Sequence, residues 1–212
     1  MTPETTRKRA PSRRSLATRA RILDAAERVF ADKGFAGATM RDIAAAAGTQ
    51  VGLVHHHGHG KEDLFRQTIA RRAEELARRR LDALAVCKAQ GTPTLPAILD
   101  CFFGPYLNLA QGDAQWLAYA RLVAHVSADP AWRDISEAHF DPTAQVFIAE
   151  IAALYPAAPR ARIAAVFVYS VSAMLALVTS RWRIDALAQD GAAGTLDDLV
   201  AFCAAGLGAS LT

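Results

Sequence analysis

The stretch TMRDIAAAAGTQVGLVHHHGHG, residues 39–60, carries the pattern that decides the fold. Thr39 is a favourable N-cap residue, and Asp42 lies three positions later, at the capping-box spacing but with a shorter acid than the usual glutamate. The short helix that follows is ended by Gly48, and a third helix is expected over about residues 50–57. Two short helices joined by a turn of a few residues around a glycine have the geometry of a helix-turn-helix.

Helical patterning continues on both sides of this stretch. An apolar stripe predicts a first helix over residues 18–33, capped by Thr18 and ended by Gly34, and a fourth helix begins near Lys61 and extends past Leu81. The fourth helix has five arginines that are expected mostly on its solvent-facing side: Arg71, Arg72, Arg78, Arg79 and Arg80. Further helices are predicted near 94–111, 113–127, 131–155, 159–189 and 195–210. The prediction is therefore an all-α protein, with a three-helix N-terminal helix-turn-helix domain joined to a larger helical domain.

The composition is that of a globular protein, and the charge is unevenly distributed along the chain. The chain has 212 residues, of which 52% are hydrophobic and 21% charged, values typical of a globular protein. Residues 1–66 contain 12 Lys and Arg against 7 Asp and Glu, whereas residues 67–212 contain 12 against 14. We therefore expect a disordered basic arm over residues 1–15, a small domain over 16–66 and a larger, mildly acidic domain over 67–212. This asymmetry of charge suggests an anionic polymer as partner.

Several classes of protein fit the sequence poorly. Residues 163–180 are uncharged, but their polar residues and alanines favour a helix buried in a core or subunit interface over a membrane span. The first twenty residues contain no apolar signal segment, and the three scattered cysteines are typical of free thiols, so a cytoplasmic location is expected. Since a phosphate loop, a Gly-x-Ser-x-Gly elbow and a His-Glu-x-x-His pair are all missing, we expect neither enzymatic activity nor a cofactor.

A set of residues between positions 19 and 64 matches a known pattern in both type and spacing. The matching segments are Ile22-Leu23-Asp24-Ala25-Ala26, Lys33-Gly34-Phe35, Ala38-Thr39-Met40-Arg41-Asp42-Ile43-Ala44, Ala47-Gly48, His56-His57 and Lys61-Glu62-Asp63-Leu64, with Phe30 and Gly52. By these residues the chain resembles the tetracycline-repressor (TetR/AcrR) family of bacterial transcription regulators. The resemblance implies a homodimer that binds a palindromic operator in double-stranded DNA. It also implies that residues 16–66 form a DNA-binding domain and residues 67–212 a ligand-binding and dimerisation domain. Repression is the commoner outcome in the family, and a small effector is expected to relieve it; the large apolar side chains of the larger domain suit an apolar or aromatic one.

The third helix is expected to enter the major groove and to read base edges with its outward side chains. Gln50 can pair with adenine, and Leu53 can contact a thymine methyl group. Gly52 either allows the backbone close to the duplex or packs tightly against a neighbouring helix. Residues at helix starts are expected to contact phosphates. The residues expected at the DNA are Thr39, Arg41, Gln50, Val51, Gly52, Leu53, His55, His56 and Lys61.

Two positions depart from the family pattern. The family usually has a tyrosine after the position of Val54 and a phenylalanine after that of His57, where this chain has His55 and Gly58. The missing ring is expected to leave the small domain short of a large apolar side chain, so that Gly58→Phe would raise the melting temperature. A helical ligand-binding protein with a decayed DNA-binding domain therefore remains an alternative.

The histidines of this region suggest a second alternative, a metal-sensing regulator that uses the cluster from His55 to His59. Neighbouring residues of a helix point about 100° apart, so adjacent histidines do not easily share one ion. Only His55 and His59 have the i, i+4 spacing that can chelate. No metal is therefore expected.

The larger domain combines large apolar side chains with a few polar groups, which is typical of a small-molecule pocket, although core packing explains any single residue as well. The residues expected at the ligand are Phe102, Tyr106, Trp116, Tyr119, His125 and Tyr169. By the resemblance, the last two long helices of each subunit form a four-helix dimer interface. The residues expected there are Phe167, Val171, Leu175, Val178, Leu199 and Phe202.

Overall fold

A computed structural model describes residues 12–188 and 194–212, and it contains helices but no strand within these ranges. The N-terminal helices are α1 (Arg13–Gly37), α2 (Met40–Ala46), α3 (Val51–Gly58) and α4 (Lys61–Ala89). They are followed by α5 (Leu95–Gly112), α6 (Ala114–Ala128), a 3₁₀ turn (Pro130–Trp132), α7 (Arg133–His139), α8 (Asp141–Leu154), α9 (Arg160–Thr179), α10 (Arg181–Ala188) and α11 (Leu196–Leu211). The all-α prediction is confirmed.

The chain divides into two compact units, Met1–Thr68 and Ile69–Thr212. Most of the predicted basic arm lies outside the described residues. Its last residues do not form an arm, because α1 begins at Arg13 with Ser12 as its N-cap, rather than at Thr18. The Ser12 hydroxyl accepts a hydrogen bond from the Ser15 amide at 3.2 Å, which satisfies one of the free amides at the helix start.

Helices α1 to α3 and the start of α4 enclose one apolar core in the first unit. The fully buried side chains there include Ile22, Phe30, Ile43, Val54 and Phe65. The Phe30 and Phe65 rings meet edge to face with their centroids 5.0 Å apart. The predicted breaks at Gly34 and Gly48 are also present, since both have positive φ, of 68° and 59°.

At Gly58, where an unfilled space was expected, the structure shows a close neighbour, Leu64. Gly58 is buried at the end of α3, and a Cβ built on it would lie 3.0 Å from Cβ and 3.3 Å from Cδ1 of Leu64. Leu64 on α4 is itself only 1% exposed. The isobutyl group of Leu64 therefore occupies the place that a larger side chain at position 58 would need.

Two of the predicted long helices are divided in the second unit. The helix expected over 131–155 is interrupted at Phe140, where α7 ends and α8 begins with a proline in its first turn. The helix expected over 159–189 is interrupted at Ser180, whose φ of −117° and ψ of 22° are not helical. Uniformly apolar, Ala-rich sequence hides such breaks because no strong Gly or Pro signal marks the interruption at Ser180.

Candidate nucleic-acid interface and ligand cavity

The start of α2 is fixed by a reciprocal capping box between Thr39 and Asp42. The Thr39 amide donates to Oδ2 of Asp42 at 3.0 Å, and the Asp42 amide donates to the Thr39 hydroxyl at 3.1 Å. Lys33 forms an ion pair with Asp42 at 2.8 Å. The hydrogen bonds from Lys33 and Thr39 lower the pKa of Asp42 to about 2. The capping box thus sets the entry of the chain into α2, and it also engages the Thr39 hydroxyl that was expected at a phosphate.

The outward side of α3 presents the side chains that were expected at the DNA bases. Gln50, His55 and His56 are exposed, Leu53 is 41% exposed, and Val51 is half-buried. On the opposite side of the same helix, Val54 is completely buried and anchors α3 to the core of the first unit. The structure therefore collects the expected base-reading residues on one solvent-facing surface of α3.

Gly52 lies in the middle of this surface and is exposed. A Cβ built on Gly52 would have no heavy atom within 4 Å, and its φ is not in the positive range. Neither close helix packing within the first unit nor backbone strain therefore requires a glycine here. What the missing side chain leaves is a flat patch of backbone on the outer surface of α3.

The two cations expected at the DNA backbone, Arg41 and Lys61, are placed differently. Arg41 is exposed on the first turn of α2. The ammonium group of Lys61 donates to the carbonyl of Ala36 at 3.1 Å and lies 4.6 Å from the centroid of the Phe35 ring. Lys61 therefore ties the start of α4 to the end of α1, a structural role that its position at a helix start did not reveal.

The histidines do not form a ligand set. Within the described residues, no group of three or more His, Cys, Asp and Glu side chains is placed to hold a metal ion. His59 lies past the end of α3 with a left-handed backbone (φ 56°), so it does not continue the helical spacing from His55. His57 is half-buried with its ring 5.0 Å from that of His56, and desolvation, helped by the charges of His56, Arg19 and His59, lowers the pKa of His57.

The second unit contains a cavity of about 380 Å³. Helices α4 to α9 all contribute to its wall. Three of the six residues expected at a ligand line it, namely Phe102, Tyr106 and Tyr119. The cavity walls are thus aromatic and apolar, as the sequence suggested for this unit.

The other three residues expected at the ligand lie elsewhere. Trp116 is buried outside the cavity wall, with its ring edge to face with Tyr119 at 5.6 Å and the Arg72 guanidinium 4.9 Å from its centroid. His125 is exposed, and Tyr169 is 68% exposed on α9. Helical period alone did not reveal that Tyr169 faces outward, because α9 is apolar on nearly all sides.

One cavity residue was wrongly placed outside. Arg80 lines the cavity together with Ala73, Leu76 and Ala77, which precede it at i−7, i−4 and i−3 on the same face of α4. Its Nε donates to the carbonyl of Phe102 at 2.8 Å, and its guanidinium lies 3.6 Å from the centroid of the Phe102 ring. Burial lowers the pKa of Arg80 to about 10. The spacing to the small and apolar residues of α4 was the sequence signal that could have placed it inside.

The residues expected at a dimer interface also separate into two groups. Phe167, Leu175 and Leu199 are buried within the chain's own core, and Val171 joins Phe167 and Leu175 in the cavity wall, so these are interior residues. Val178 is half-buried, whereas Phe202 on α11 is 72% exposed. The outward apolar residues that the sequence missed are Val168 and Tyr169 on α9, together with Trp182 and Leu187 on α10.

Among the described residues, Arg160–Thr179 is the one helix long and apolar enough to cross a membrane. This helix is α9, and 44% of its most apolar window is buried inside the protein. Its buried residues include Ile163, Phe167 and Met174. Core helices of many globular proteins have the same length and composition, so this observation is weak evidence for a membrane span.

The chain matches two family models in succession. Residues 22–68 match the model described as bacterial regulatory proteins of the tetR family, and residues 100–206 match the tetracyclin repressor-like C-terminal domain. The second match alone spans half of the chain. The protein therefore belongs to the tetracycline-repressor family of bacterial regulatory proteins.

Individual relatives agree with this assignment over parts of their length. The transcriptional regulator BetI of Rhizobium meliloti is 36% identical over 100 residues, which cover 46% of this chain and 48% of BetI. The transcriptional repressor AcnR of Corynebacterium glutamicum is 43% identical over 61 residues, covering 27% of this chain and 32% of AcnR. The matches thus span about half of BetI and a third of AcnR.

A solved structure extends the similarity of fold to nearly the whole chain. The multidrug binding protein EbrR, in a complex with malachite green, aligns with a TM-score of 0.63. The alignment covers 95% of this chain and 99% of EbrR at 21% sequence identity. At this identity the similarity establishes the fold, and it says nothing of which ligand this chain binds.

Proposed function

We propose that the protein is a homodimeric, cytoplasmic, non-enzymatic transcription regulator that represses by binding a palindromic operator and is released from it by a small effector. The outward surface of α3 carries the proposal: Gln50, Leu53, His55 and His56 face solvent around the bare backbone of Gly52, within the segment that matches the family's DNA-binding model. Such a helix presents base-reading side chains to a major groove while flanking groups contact phosphates. In this role Val51 lies beside the base-reading side chains, and Thr39, Arg41 and Lys61 lie toward the DNA backbone.

The second unit supports the homodimer. Helices α9 and α11 pack against each other, and they expose Val168, Tyr169 and Phe202. A contiguous patch of exposed apolar residues marks a protein interface, and in the proposed dimer these three residues form such a patch. A two-fold dimer built through this face presents two copies of α3, and this symmetry is the reason to expect a palindromic operator.

Helix α4 supports the response to an effector. It runs without interruption from Lys61, which is bonded to α1, to Arg80 and other residues of the cavity wall. In the proposed mechanism, an effector in the cavity moves α4 and changes the spacing of the two α3 helices in the dimer. This response requires only that the effector bind the two arrangements of the dimer, which differ in the spacing of the α3 helices, with different affinity.

The direct test is fluorescence anisotropy with labelled DNA from upstream of the protein's own gene, compared with a scrambled sequence of equal length. We expect selective binding that weakens steeply as salt is raised, because phosphate contacts release counterions. Equal and weak binding to both DNAs would favour the alternative of a ligand-binding protein with a decayed DNA-binding domain. Dependence of binding on added Zn²⁺ or Ni²⁺ would favour the metal-sensing alternative.

Gly52→Ala separates DNA binding from folding. The added methyl group meets no atom of the protein, so the variant should be as stable as the parent or more stable by up to about 1 kcal/mol, the usual difference between alanine and glycine in a helix. On the DNA side, the methyl group pushes the backbone of α3 away from the duplex. We expect operator affinity to fall by about tenfold or more, measured by anisotropy beside a thermal melt.

The matched control is Gly112→Ala at the end of α5, where an added Cβ is also free of contacts. It should leave operator affinity unchanged. Operator affinity of Gly52→Ala equal to that of the parent would show that α3 does not approach DNA through this patch.

A further inference from the structure

We propose that the effector is an organic anion with an aromatic or bulky apolar body, and that Arg80 binds its carboxylate. This inference rests on the proposed function, because it names the chemical class of the molecule that enters the cavity. It is carried by the position and surroundings of one cationic side chain, Arg80, in a cavity wall made mostly of apolar side chains.

Arg80 is held flat against the wall of the cavity. Its Nε donates to the carbonyl of Phe102, and Nη2 contacts the sulfur of Met174 at 3.6 Å. The guanidinium stacks on the Phe102 ring and lies 5.6 Å from the centroid of Tyr106. These contacts fix the plane of the guanidinium and leave the N–H groups of Nη1 without a hydrogen-bond acceptor among the described residues. A planar, preoriented fork of this kind suits a carboxylate.

Arg80 differs from the ion-paired arginines of the described chain. Five other arginines pair with a carboxylate four residues away on the same helix: Arg66 with Glu62, Arg78 with Asp82, Arg79 with Glu75, Arg133 with Glu137 and Arg181 with Asp185. No described carboxylate lies within ion-pair distance of Arg80. A half-buried cation without a counter-charge is unfavourable, and an anion that enters the cavity supplies the counter-charge that the described residues do not.

The charge of Arg80 persists at neutral pH. Burial lowers the pKa of its guanidinium only to about 10, so the group remains a cation near pH 7. The other titratable residues in the wall are Tyr106, Tyr119, His139 and Asp141. Asp141 is exposed at the start of α8 and forms no ion pair with Arg80. Its carboxylate disfavours an anionic group nearby and thereby favours the orientation in which the ligand's acid meets Arg80.

The rest of the wall suits an apolar body. Leu76, Phe102, Ile148 and Phe167 supply aliphatic and aromatic surface, and the volume of about 380 Å³ is near the lower end of the range for small-molecule sites. A positively charged ligand would instead meet a like charge at Arg80, and the one carboxylate among the wall residues, Asp141, is exposed at the start of α8. The wall therefore favours a compact aromatic or branched acid over a neutral or cationic molecule of equal size.

The test compares three probes that share one aromatic frame and differ only in the terminal group: 1-naphthylacetate, 1-naphthylacetamide and 1-naphthylethylamine. Binding to the full-length protein is measured by isothermal titration calorimetry in the absence of DNA. We expect the acid to bind at least about tenfold more tightly than the amide, and the amine to bind most weakly.

Variants assign the preference to Arg80. Arg80→Met keeps an unbranched apolar stem beside Phe102, and it should bind the acid and the amide within about threefold of each other. Arg80→Lys keeps the charge and should retain a preference for the acid, which separates charge recognition from a purely structural role. The matched control, Arg78→Met, removes an arginine whose side chain is 64% exposed and should leave the preference intact.

The proposal is overturned if the acid and the amide bind the parent protein equally, or if Arg80→Met keeps the preference. It is also overturned if none of the probes binds at about 1 mM. Because these measurements contain no DNA, they fail independently of the proposed function. A protein that binds its operator selectively and shows no preference for the acid would keep the function and lose only the anionic effector.

Discussion

Phe202→Asp is expected to convert the dimer into a folded monomer. Phe202 is 72% exposed in the single chain, so the substitution removes no contact of the monomer's own core. In an isologous interface the change occurs twice, and a loss of about 2 kcal/mol per copy is typical of a central aromatic residue. Together these losses raise the dimer dissociation constant about a thousandfold, before the cost of burying two carboxylates is added.

The measurement is sedimentation velocity at micromolar concentration, with circular dichroism to confirm that the helices remain. Val86→Asp is the matched control, because Val86 is also exposed (62%) but lies on α4 rather than on α9 or α11. It should leave the dimer intact. We expect Phe202→Asp to weaken operator binding as well, since one α3 helix reads only half of a palindrome. If the Phe202→Asp protein still sediments as a dimer, the exposed surface of α9 and α11 is not the dimer interface.

Gly58→Phe is expected to destabilise the first unit, the reverse of what the sequence pattern suggested. The Cβ of any side chain at position 58 meets the Cβ of Leu64 at 3.0 Å, and that atom is fixed to the backbone of α4. Adding a phenyl ring therefore displaces either α4 or the buried Leu64 side chain. Overpacking of this kind costs about 1–3 kcal/mol, which corresponds to several degrees in melting temperature for a chain of this size.

Thermal melts of three variants beside the parent decide this prediction. Gly58→Phe should melt below the parent, and the double variant Gly58→Phe/Leu64→Ala should recover part of the loss, because the ring then enters the space that Leu64 leaves. Gly52→Ala provides the reference for a glycine on the same helix whose added Cβ meets nothing. A higher melting temperature for Gly58→Phe alone would mean that Leu64 moves aside and that the space exists after all.

Local signals in the sequence were sufficient for the start of α2, the glycine breaks and the outward surface of α3 in the first unit. A capping box needs only Thr39 and Asp42 at the correct spacing, and Gly34 and Gly48 supply the positive φ that ends a helix. The outward surface of α3 follows from helical geometry once Val54 is recognised as the buried residue. These features depend on contacts within a few residues, so a single sequence contains the information.

The second unit was harder because its helices are apolar on several sides. Tyr169 and Phe167 are two residues apart on α9, yet one is exposed and the other lines the cavity, and composition alone does not distinguish them. Arg80 was placed outside because arginine usually lies at the surface. The position of Leu64 beside Gly58 was also invisible, since it depends on how α4 packs against α3 rather than on either segment alone.

The position of Trp116 gives the protein an optical readout of its own cavity. Trp116 is buried with its ring in edge-to-face contact with Tyr119, and Tyr119 forms part of the cavity wall. Any molecule that shifts Tyr119 therefore alters the surroundings of the indole, and with them its emission. Trp182, which is 69% exposed on α10, adds a solvent-like background that quenching by iodide can remove, and replacing the buried Trp132 with phenylalanine leaves Trp116 as the buried emitter. Effector candidates can thus be screened by intrinsic fluorescence, without a label and before the operator sequence has been determined.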